Sequence, residues 1–290
     1  MINRHIYRRD LRRLSRALSR ISLAVAGFVC LGSLGNCATA ADSVGAADRA
    51  LSSFAVYDNT FYPNVNLEQF GAVKSNVVYE APVAQLAGQD PAKFRGARPA
   101  SAELALPRQA AYENLVRRTA GGPGPVVLDF ETLYLKGSSD VAQRRFDKLQ
   151  TLLGWAHQAV PGRVIGYYGV LGNTEPRYLA LERRLAAHED ALFPSLYTFG
   201  DDRGAWQANF HRIMSEAASV APGKSVYAYL WPQYHDGTKQ AGRYLTADHW
   251  NFELQAATRL CAGVVIWGPS DSDPDQHWVG ATASFLDIRG

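Results

Sequence analysis

The chain has 290 residues, of which 47% are hydrophobic and 20% charged, and its formal net charge is +3. The basic excess comes from the first 40 residues, which hold seven arginines and a single acid, Asp10. The remaining residues carry 23 basic and 26 acidic side chains, a formal charge of −3. We therefore expect no nucleic-acid partner, since such partners require a basic face on the folded domain.

The amino-terminal segment has the pattern of an export signal. Its arginine-rich stretch is followed by "ISLAVAGFVCLGSL" and then by Ala38-Thr39-Ala40, a small-x-small cleavage pattern. The apolar stretch is shorter than the roughly 20 residues that cross a bilayer. We predict a signal peptide over residues 1–40 and a periplasmic or secreted domain over 41–290, with no membrane insertion after signal removal. An uncleaved amino-terminal anchor is the alternative.

Cysteine usage agrees with a domain that folds without disulfides. Cys30 and Cys37 lie in the predicted signal, so Cys261 is the single cysteine of residues 41–290. A chain of this length can bury a core that is large enough to be stable without cross-links.

Short runs rich in Val, Ile, Tyr and Phe predict seven strands along the chain. In order they are "SFAVYD", "SNVVYE", "PVVLDFE", "RVIGYYG", "LFPSLY", "SVYAYLW" and "GVVIWG". Amphipathic patterns between them predict helices. The clearest are "SSDVAQRRFDKLQTLLGWAHQAV", capped by Ser139 or Asp140, and "LTADHWNFELQAATRL", opened by Thr246. Residues 81–107, rich in Ala, Pro and Gly, predict a long loop.

The alternation of strands and helices predicts an α/β fold with a parallel sheet. Seven or eight such units over residues 41–290 favour a single (β/α) barrel, TIM-like and either regular or distorted, over an open sheet.

The strand "VVLDFE" ends in two carboxylates. Side chains alternate along a strand, so Val126, Leu128 and Phe130 share one face while Asp129 and Glu131 share the other. The apolar face suits contact with helices, which places both acids on the inner face at the carboxyl end of the strand, where barrel active sites lie. Solvated strand-end acids or a salt bridge are the structural alternative.

The other predicted strand ends carry aromatic side chains that could stack on sugar rings. They are Tyr167, Tyr168, Tyr197, Tyr227, Tyr229, Trp231 and Trp267. Any one of them can equally be a core residue, so their grouping at one rim is the informative feature. Glu80 and Asp58 are further acids at strand ends. Glu80 could contact substrate, act as a second catalytic acid or form a salt bridge.

Paired carboxylates suit the hydrolysis of glycosidic bonds. Acids on one strand approach a substrate from the same side, whereas the usual two-carboxylate schemes need groups on opposite sides. This favours a substrate-assisted mechanism in which the sugar's acetamido oxygen is the nucleophile, Asp129 orients that group and Glu131 is the general acid and base. A two-carboxylate glycosidase using Glu80 and a non-catalytic polysaccharide-binding barrel are the alternatives.

Five segments of the sequence resemble those of a known family. "VVLDFE", "GYYG", "FPSLY", "VYAYLWPQYHDGT…YLTADHW" and "GVVIWG" occur in the order seen in hyaluronidase-type glycoside hydrolases, over residues 120–270. The resemblance implies a distorted β/α barrel and endo-acting hydrolysis of N-acetylhexosamine polymers. It also implies Glu131 as proton donor, Asp129 as its acetamido-orienting partner, and Tyr197 and Trp267 as the active-site tyrosine and tryptophan. The family's Cys-Tyr-Asn segment is absent, since "GYYG" continues as "VLGNTEP".

Motifs for metals and cofactors are incomplete. "SDSDPDQ" lacks the glycine and glutamate of a calcium loop. The His-Asp pairs at 235–236 and 248–249 lack zinc-site spacing. No glycine-rich nucleotide motif follows a strand. We predict a polysaccharide substrate as the partner, with no metal and no cofactor.

Overall fold

The computed structural model describes residues 54–94, 102–270 and 276–288. The predicted signal peptide and most of the "SDSDPDQ" segment lie outside the described residues. Within them, no helix is long and apolar enough to cross a membrane.

All strands of the described residues pair in parallel, as the alternation of strands and helices predicts. They are β1 Ala55–Thr60, β2 Val73–Lys74, β3 Asn76–Tyr79, β4 Val126–Asp129, β5 Ile165–Tyr167, β6 Tyr227–Leu230 and β7 Gly263–Gly268. Four strands form one sheet in the order β2-β1-β7-β6, and three form a second in the order β3-β4-β5. The α/β class is confirmed. The pairings define two sheets, and closure into one continuous barrel is not shown.

The predicted strand "LFPSLY" forms single bridges instead of a regular ladder. Phe193 bridges to Tyr168 on one side, while Leu192 and Ser195 bridge to Val226 and Tyr229 on the other. This segment therefore lies between the edges of β5 and β6. Pro194 has no N–H to donate, which explains why the ladder is interrupted here.

Seven α-helices cover the described chain. They are α1 Glu80–Leu86, α2 Gln109–Thr119, α3 Ser139–Ala159, α4 Leu179–Ala186, α5 Arg203–Val220, α6 Ala247–Ala257 and α7 Gln276–Asp287. Short 3-10 helices occupy Leu67–Phe70, Pro91–Phe94, Glu131–Leu133 and Pro176–Tyr178. Helix α6 begins after Thr246 as predicted, whereas α3 is capped by Ser138 rather than by Ser139 or Asp140.

The prediction of a loop over residues 81–107 is wrong for the first part of this range. Helix α1 and the 3-10 helix Pro91–Phe94 occupy part of it. Alanine has a high helix propensity, and a proline in the first turn of a helix is tolerated, so "EAPVAQL" can form a helix despite Pro82.

Buried side chains form two kinds of layer around the strands. Val126, Leu128 and Phe130 belong to a core shared with helix residues such as Phe146 and Leu149. A separate inner cluster contains Val127, Tyr168, Ala191, Phe193, Tyr197, Tyr229, Trp231 and Val265, with Tyr57, Val77, Tyr227 and Trp267 packed against it. The predicted helix-facing side of Val126, Leu128 and Phe130 is confirmed, and Val127 lies on the inner side.

Candidate active site

The inner cluster ends at the carboxyl side of the strands, where Asp129 is the last residue of β4. Asp129 pairs in register with Tyr79, the last residue of β3. The strand ends there because Phe130 has φ −125° and ψ 68°, and Glu131 opens a 3-10 helix. Glu131 therefore lies on the turn that follows β4, and the two acids are not successive same-face residues of one strand as the sequence suggested.

The charges of Glu131 and Asp129 both affect the pKa of Tyr168. Burial raises the pKa of Tyr168 well above its usual range, and the negative charges of Glu131 and Asp129 raise it further. The two acids are therefore near enough to Tyr168 for their charges to affect its hydroxyl.

The charge of Asp129 affects three more tyrosines besides Tyr168. Burial is the largest cause of the raised pKa values of Tyr79, Tyr197 and Tyr229, and the charge of Asp129 adds to each. These hydroxyls remain protonated at ordinary pH and can donate hydrogen bonds. The site thus combines acidic groups with several O–H donors.

Tyr168 and Tyr197 are held together at the centre of the site. Their ring centroids are 6.2 Å apart, with an angle of 35° between the ring planes. The ring of Tyr229 packs edge-on against Tyr168 at 4.7 Å. These contacts fix the ring orientations.

Gly169 shapes the turn that presents Tyr168. Its φ is +68°, and a Cβ atom there would lie 2.3 Å from the Tyr134 hydroxyl. Its N–H donates to the carbonyl of Phe193 at 2.9 Å. Only glycine meets both the conformational and the spatial requirement.

Tyr197, Trp231 and Trp267 form an aromatic wall. Tyr197 stacks on Trp267 at 5.9 Å and 29°, while Trp231 packs edge-on against Trp267 at 4.8 Å. The indole N–H of Trp231 donates to Gln233 at 3.0 Å and to the Tyr62 hydroxyl at 3.2 Å. The wall is therefore rigid.

Tyr167 lies in the helix-facing core and not at the site that the sequence predicted. It is 1% exposed, and its hydroxyl donates to the Leu149 carbonyl of α3 at 2.6 Å. Its ring packs against Phe130 in the helix-facing core. Because neighbouring residues of a strand face opposite sides, Tyr168 reaches the site and Tyr167 cannot. The prediction that Tyr167 binds substrate is wrong.

Glu80 is buried beside the turn that follows β4. It is 2% exposed, and its Oε1 accepts from the backbone N–H of Thr132 at 2.9 Å and from the Thr132 hydroxyl at 2.5 Å. The same hydroxyl oxygen accepts from the Leu104 N–H at 3.1 Å. Glu80 thus braces the turn that carries Glu131. These hydrogen bonds give Glu80 a structural role at this turn, while its contact with substrate and its part as a second acid stay predictions.

Asp58 is likewise engaged in the protein interior. Its Oδ1 accepts from the N–H and hydroxyl of Thr60, both at 2.8 Å, and its Oδ2 pairs with Lys74 at 3.2 Å. These contacts join the end of β1 to β2.

Sequence reasoning missed Tyr79 and Asn59. The Tyr79 hydroxyl lies 3.1 Å from Asn59 Nδ2 and 3.2 Å from its Oδ1. The signal was available, because Tyr79 ends "NVVY" as Asp129 ends "VVLD".

Within the described ranges, no group of three or more His, Cys, Asp or Glu side chains could hold a metal ion.

No protein-family model matches the chain, and no curated protein matches it in sequence. Among solved structures, bee venom hyaluronidase is 18% identical with a TM-score of 0.51, and the match covers 81% of this chain and 96% of that one. The same enzyme in complex with a hyaluronic acid tetramer has a TM-score of 0.50 at the same identity and coverage. A chitinase from Pseudoalteromonas aurantia is 13% identical, with a TM-score of 0.42 and coverage of 78% and 99%. The predicted resemblance to hyaluronidase-type glycoside hydrolases is confirmed at the level of the fold.

Proposed function

We propose that this chain is a glycoside hydrolase that cuts within a polysaccharide containing N-acetylhexosamine, by a substrate-assisted retaining mechanism. The observation that carries the proposal is that Asp129 ends β4 in register with Tyr79 of β3, on the strand whose Val127 belongs to the inner cluster with Tyr168, Tyr197 and Tyr229, and that Glu131 opens the turn that follows. The likeness in fold to a hyaluronidase solved with a hyaluronic acid tetramer supports a polysaccharide substrate.

In the first step, Glu131 donates its proton to the glycosidic oxygen while the bond to the anomeric carbon breaks. The acetamido carbonyl oxygen of the same sugar attacks the anomeric carbon from the opposite face, which gives a cyclic oxazolinium ion. Asp129 accepts the hydrogen bond of the acetamido N–H and stabilises the positive charge that develops on this group.

In the second step, the Glu131 carboxylate takes a proton from water, and that water attacks the anomeric carbon on the face that the leaving group vacated. The acetamide is regenerated, the anomeric configuration is retained, and Glu131 is again protonated. Two displacements on opposite faces give the retention.

The tyrosines act as donors in this scheme. Their raised pKa values keep the hydroxyls of Tyr79, Tyr168, Tyr197 and Tyr229 protonated, so they can hold Asp129 and the acetamido oxygen in place. Trp267, stacked on Tyr197, closes one side of the sugar site.

The remaining parts of the proposal concern where the enzyme acts. Cleavage of the signal over residues 1–40 would release a periplasmic or secreted enzyme, and the formal charge of −3 on residues 41–290 does not suit nucleic acid. The partner that we propose is the polysaccharide substrate.

The first test is Glu131→Gln, assayed by release of reducing ends from N-acetylhexosamine polymers. Loss of the proton donor should lower kcat by about 10²–10⁴-fold. Glu68→Gln is the matched control, because Glu68 also lies in the first turn of a 3-10 helix but is exposed and far along the chain from the site. It should retain full turnover.

Near wild-type turnover of Glu131→Gln would contradict the assignment. A second readout concerns Asp129: the enzyme should cut acetylated polymers and leave their deacetylated forms intact. Activity confined to polymers without an acetamido group would refute the role given to Asp129.

A further inference from the structure

Phe199 is an exposed aromatic side chain at the rim of the site. It is 63% exposed, although it follows the buried residues Tyr197 and Thr198 directly. One face of its ring stacks on the imidazole of His235, with centroids 4.5 Å apart and planes at 26°. The exposed part of this apolar ring is available to contact a ligand.

His235 is fixed beneath Phe199. Its backbone N–H donates to the Thr198 carbonyl at 2.8 Å. Its Nδ1 lies 2.7 Å from the carbonyl oxygen of Asp236. A carbonyl can only accept, so Nδ1 carries the proton, and the ring plane is set by the backbone. The Phe199–His235 pair is therefore a preorganised surface.

This pair continues the aromatic wall of the site. The imidazole of His235 lies 5.8 Å from the Tyr197 ring at 33°, and Tyr197 lies 5.9 Å from Trp267 at 29°. Trp267, Tyr197, His235 and Phe199 thus follow one another with modest angles between consecutive planes. The row leads from the carboxylate site to the protein surface.

We infer that Phe199 and His235 form an outer subsite that stacks on a sugar ring of the polymer away from the bond being cut. Pyranose rings present C–H faces that pack on aromatic planes, and an endo-acting enzyme must hold sugars on either side of the cleaved bond. The inference rests on the proposed function, because its occupant is the continuation of the same polymer chain.

The test compares Phe199→Ala, Phe199→Leu and Phe199→Trp on a long N-acetylhexosamine polymer. Loss of one stacking contact should raise KM by about three- to tenfold and leave kcat unchanged. Phe199→Trp should retain the wild-type KM, whereas Phe199→Leu, apolar but not planar, should behave like the alanine variant. Leu260→Ala is the matched control, because Leu260 is 50% exposed but precedes β7, at the opposite end of the strand from Trp267.

Polymer binding is also measured without turnover, by affinity electrophoresis in the Glu131→Gln background. Phe199→Ala should weaken retardation by the polymer there, while Leu260→Ala should not. This separates the two proposals: turnover by Glu131→Gln would sink the mechanism, whereas the dependence of binding on Phe199 would still support the subsite.

An unchanged KM and unchanged retardation in Phe199→Ala, with an unaltered melting temperature, would overturn the inference. A change of oligomeric state in Phe199→Ala, seen by light scattering while polymer binding is intact, would also overturn it. In that case Phe199 would contact a second copy of the chain.

Discussion

Thr132 shows how one residue places a catalytic group. Its N–H and hydroxyl both donate to Glu80, 52 positions earlier in the chain, and its hydroxyl oxygen accepts from Leu104. The residue is buried and directly follows Glu131. Two distant segments, those of Glu80 and Leu104, thereby hold the turn that carries the proposed proton donor.

Thr132→Val should therefore lower kcat more than it changes KM. The substitution removes the hydroxyl, leaves Glu80 with a single donor from Thr132 and deprives the Leu104 N–H of its acceptor, a cost of about 1–3 kcal/mol in unfolding free energy. Urea unfolding and reducing-end kinetics measure the two effects. Thr132→Ser, which keeps the hydroxyl, is the control and should remain close to wild type.

Equal stability and kcat in the valine and serine variants would show that the brace does not position Glu131. Glu80→Gln should be milder than Glu131→Gln, because a glutamine oxygen still accepts from Thr132. The two-carboxylate alternative expects equal damage from these two variants.

At the scale of elements, the two helices predicted most clearly from the sequence begin in different ways. Thr246 caps α6 through its side chain, whose hydroxyl accepts from the His249 N–H at 3.2 Å. Ser138 precedes α3 in extended conformation and makes no side-chain capping hydrogen bond. Sequence patterns identify cap-forming residue types, while the side-chain rotamer in the fold decides whether the bond forms.

Thr246→Ala should lower the free energy of unfolding by about 1 kcal/mol, since one of the first N–H groups of α6 loses its acceptor. Ser138→Ala, the matched variant at α3, should change stability by much less. Chemical denaturation of both variants measures the difference. Equal losses would mean that the capping hydrogen bond does not stabilise α6.

At the scale of the whole molecule, buried carboxyls link stability to pH. Burial, reinforced by Glu216, raises the pKa of Glu182 on α4 to about 8. Burial raises the pKa of Glu189 to about 7, although its carboxylate accepts from the Tyr167 N–H at 2.6 Å. In the unfolded chain both groups ionise near pH 4.5. The folded state therefore binds more protons than the unfolded state between these limits.

Because the folded state binds more protons, the free energy of unfolding should fall as the pH rises from about 4.5 to 8. The decrease is at most about 1.4 kcal/mol per pH unit for each carboxyl. Glu182→Gln cannot ionise and should flatten this slope, so the variant gains stability relative to wild type at pH 8. Urea unfolding at pH 5, 6, 7 and 8 measures the slope. The exposed-site variant Glu68→Gln should keep the wild-type slope, and a wild-type slope in Glu182→Gln would disprove the linkage.

Features that depend on neighbouring residues along the chain could be predicted from the amino-acid sequence. Alternation along "VVLDFE" was enough to assign Leu128 and Phe130 to the helix-facing core, and the start of α6 at Thr246 was readable from its cap pattern. These follow from local periodicity and capping, which each segment carries within itself.

The contacts between residues at different strand ends, by contrast, could not be predicted without the packed fold. Glu80 lies against Thr132, Tyr167 faces α3, and Phe199 stacks on His235. These contacts join positions far apart in the sequence, and the free energy of burial and pairing that selects them appears only when the segments pack together. The sequence therefore identified the acids, and the packing of distant segments decided which groups surround them.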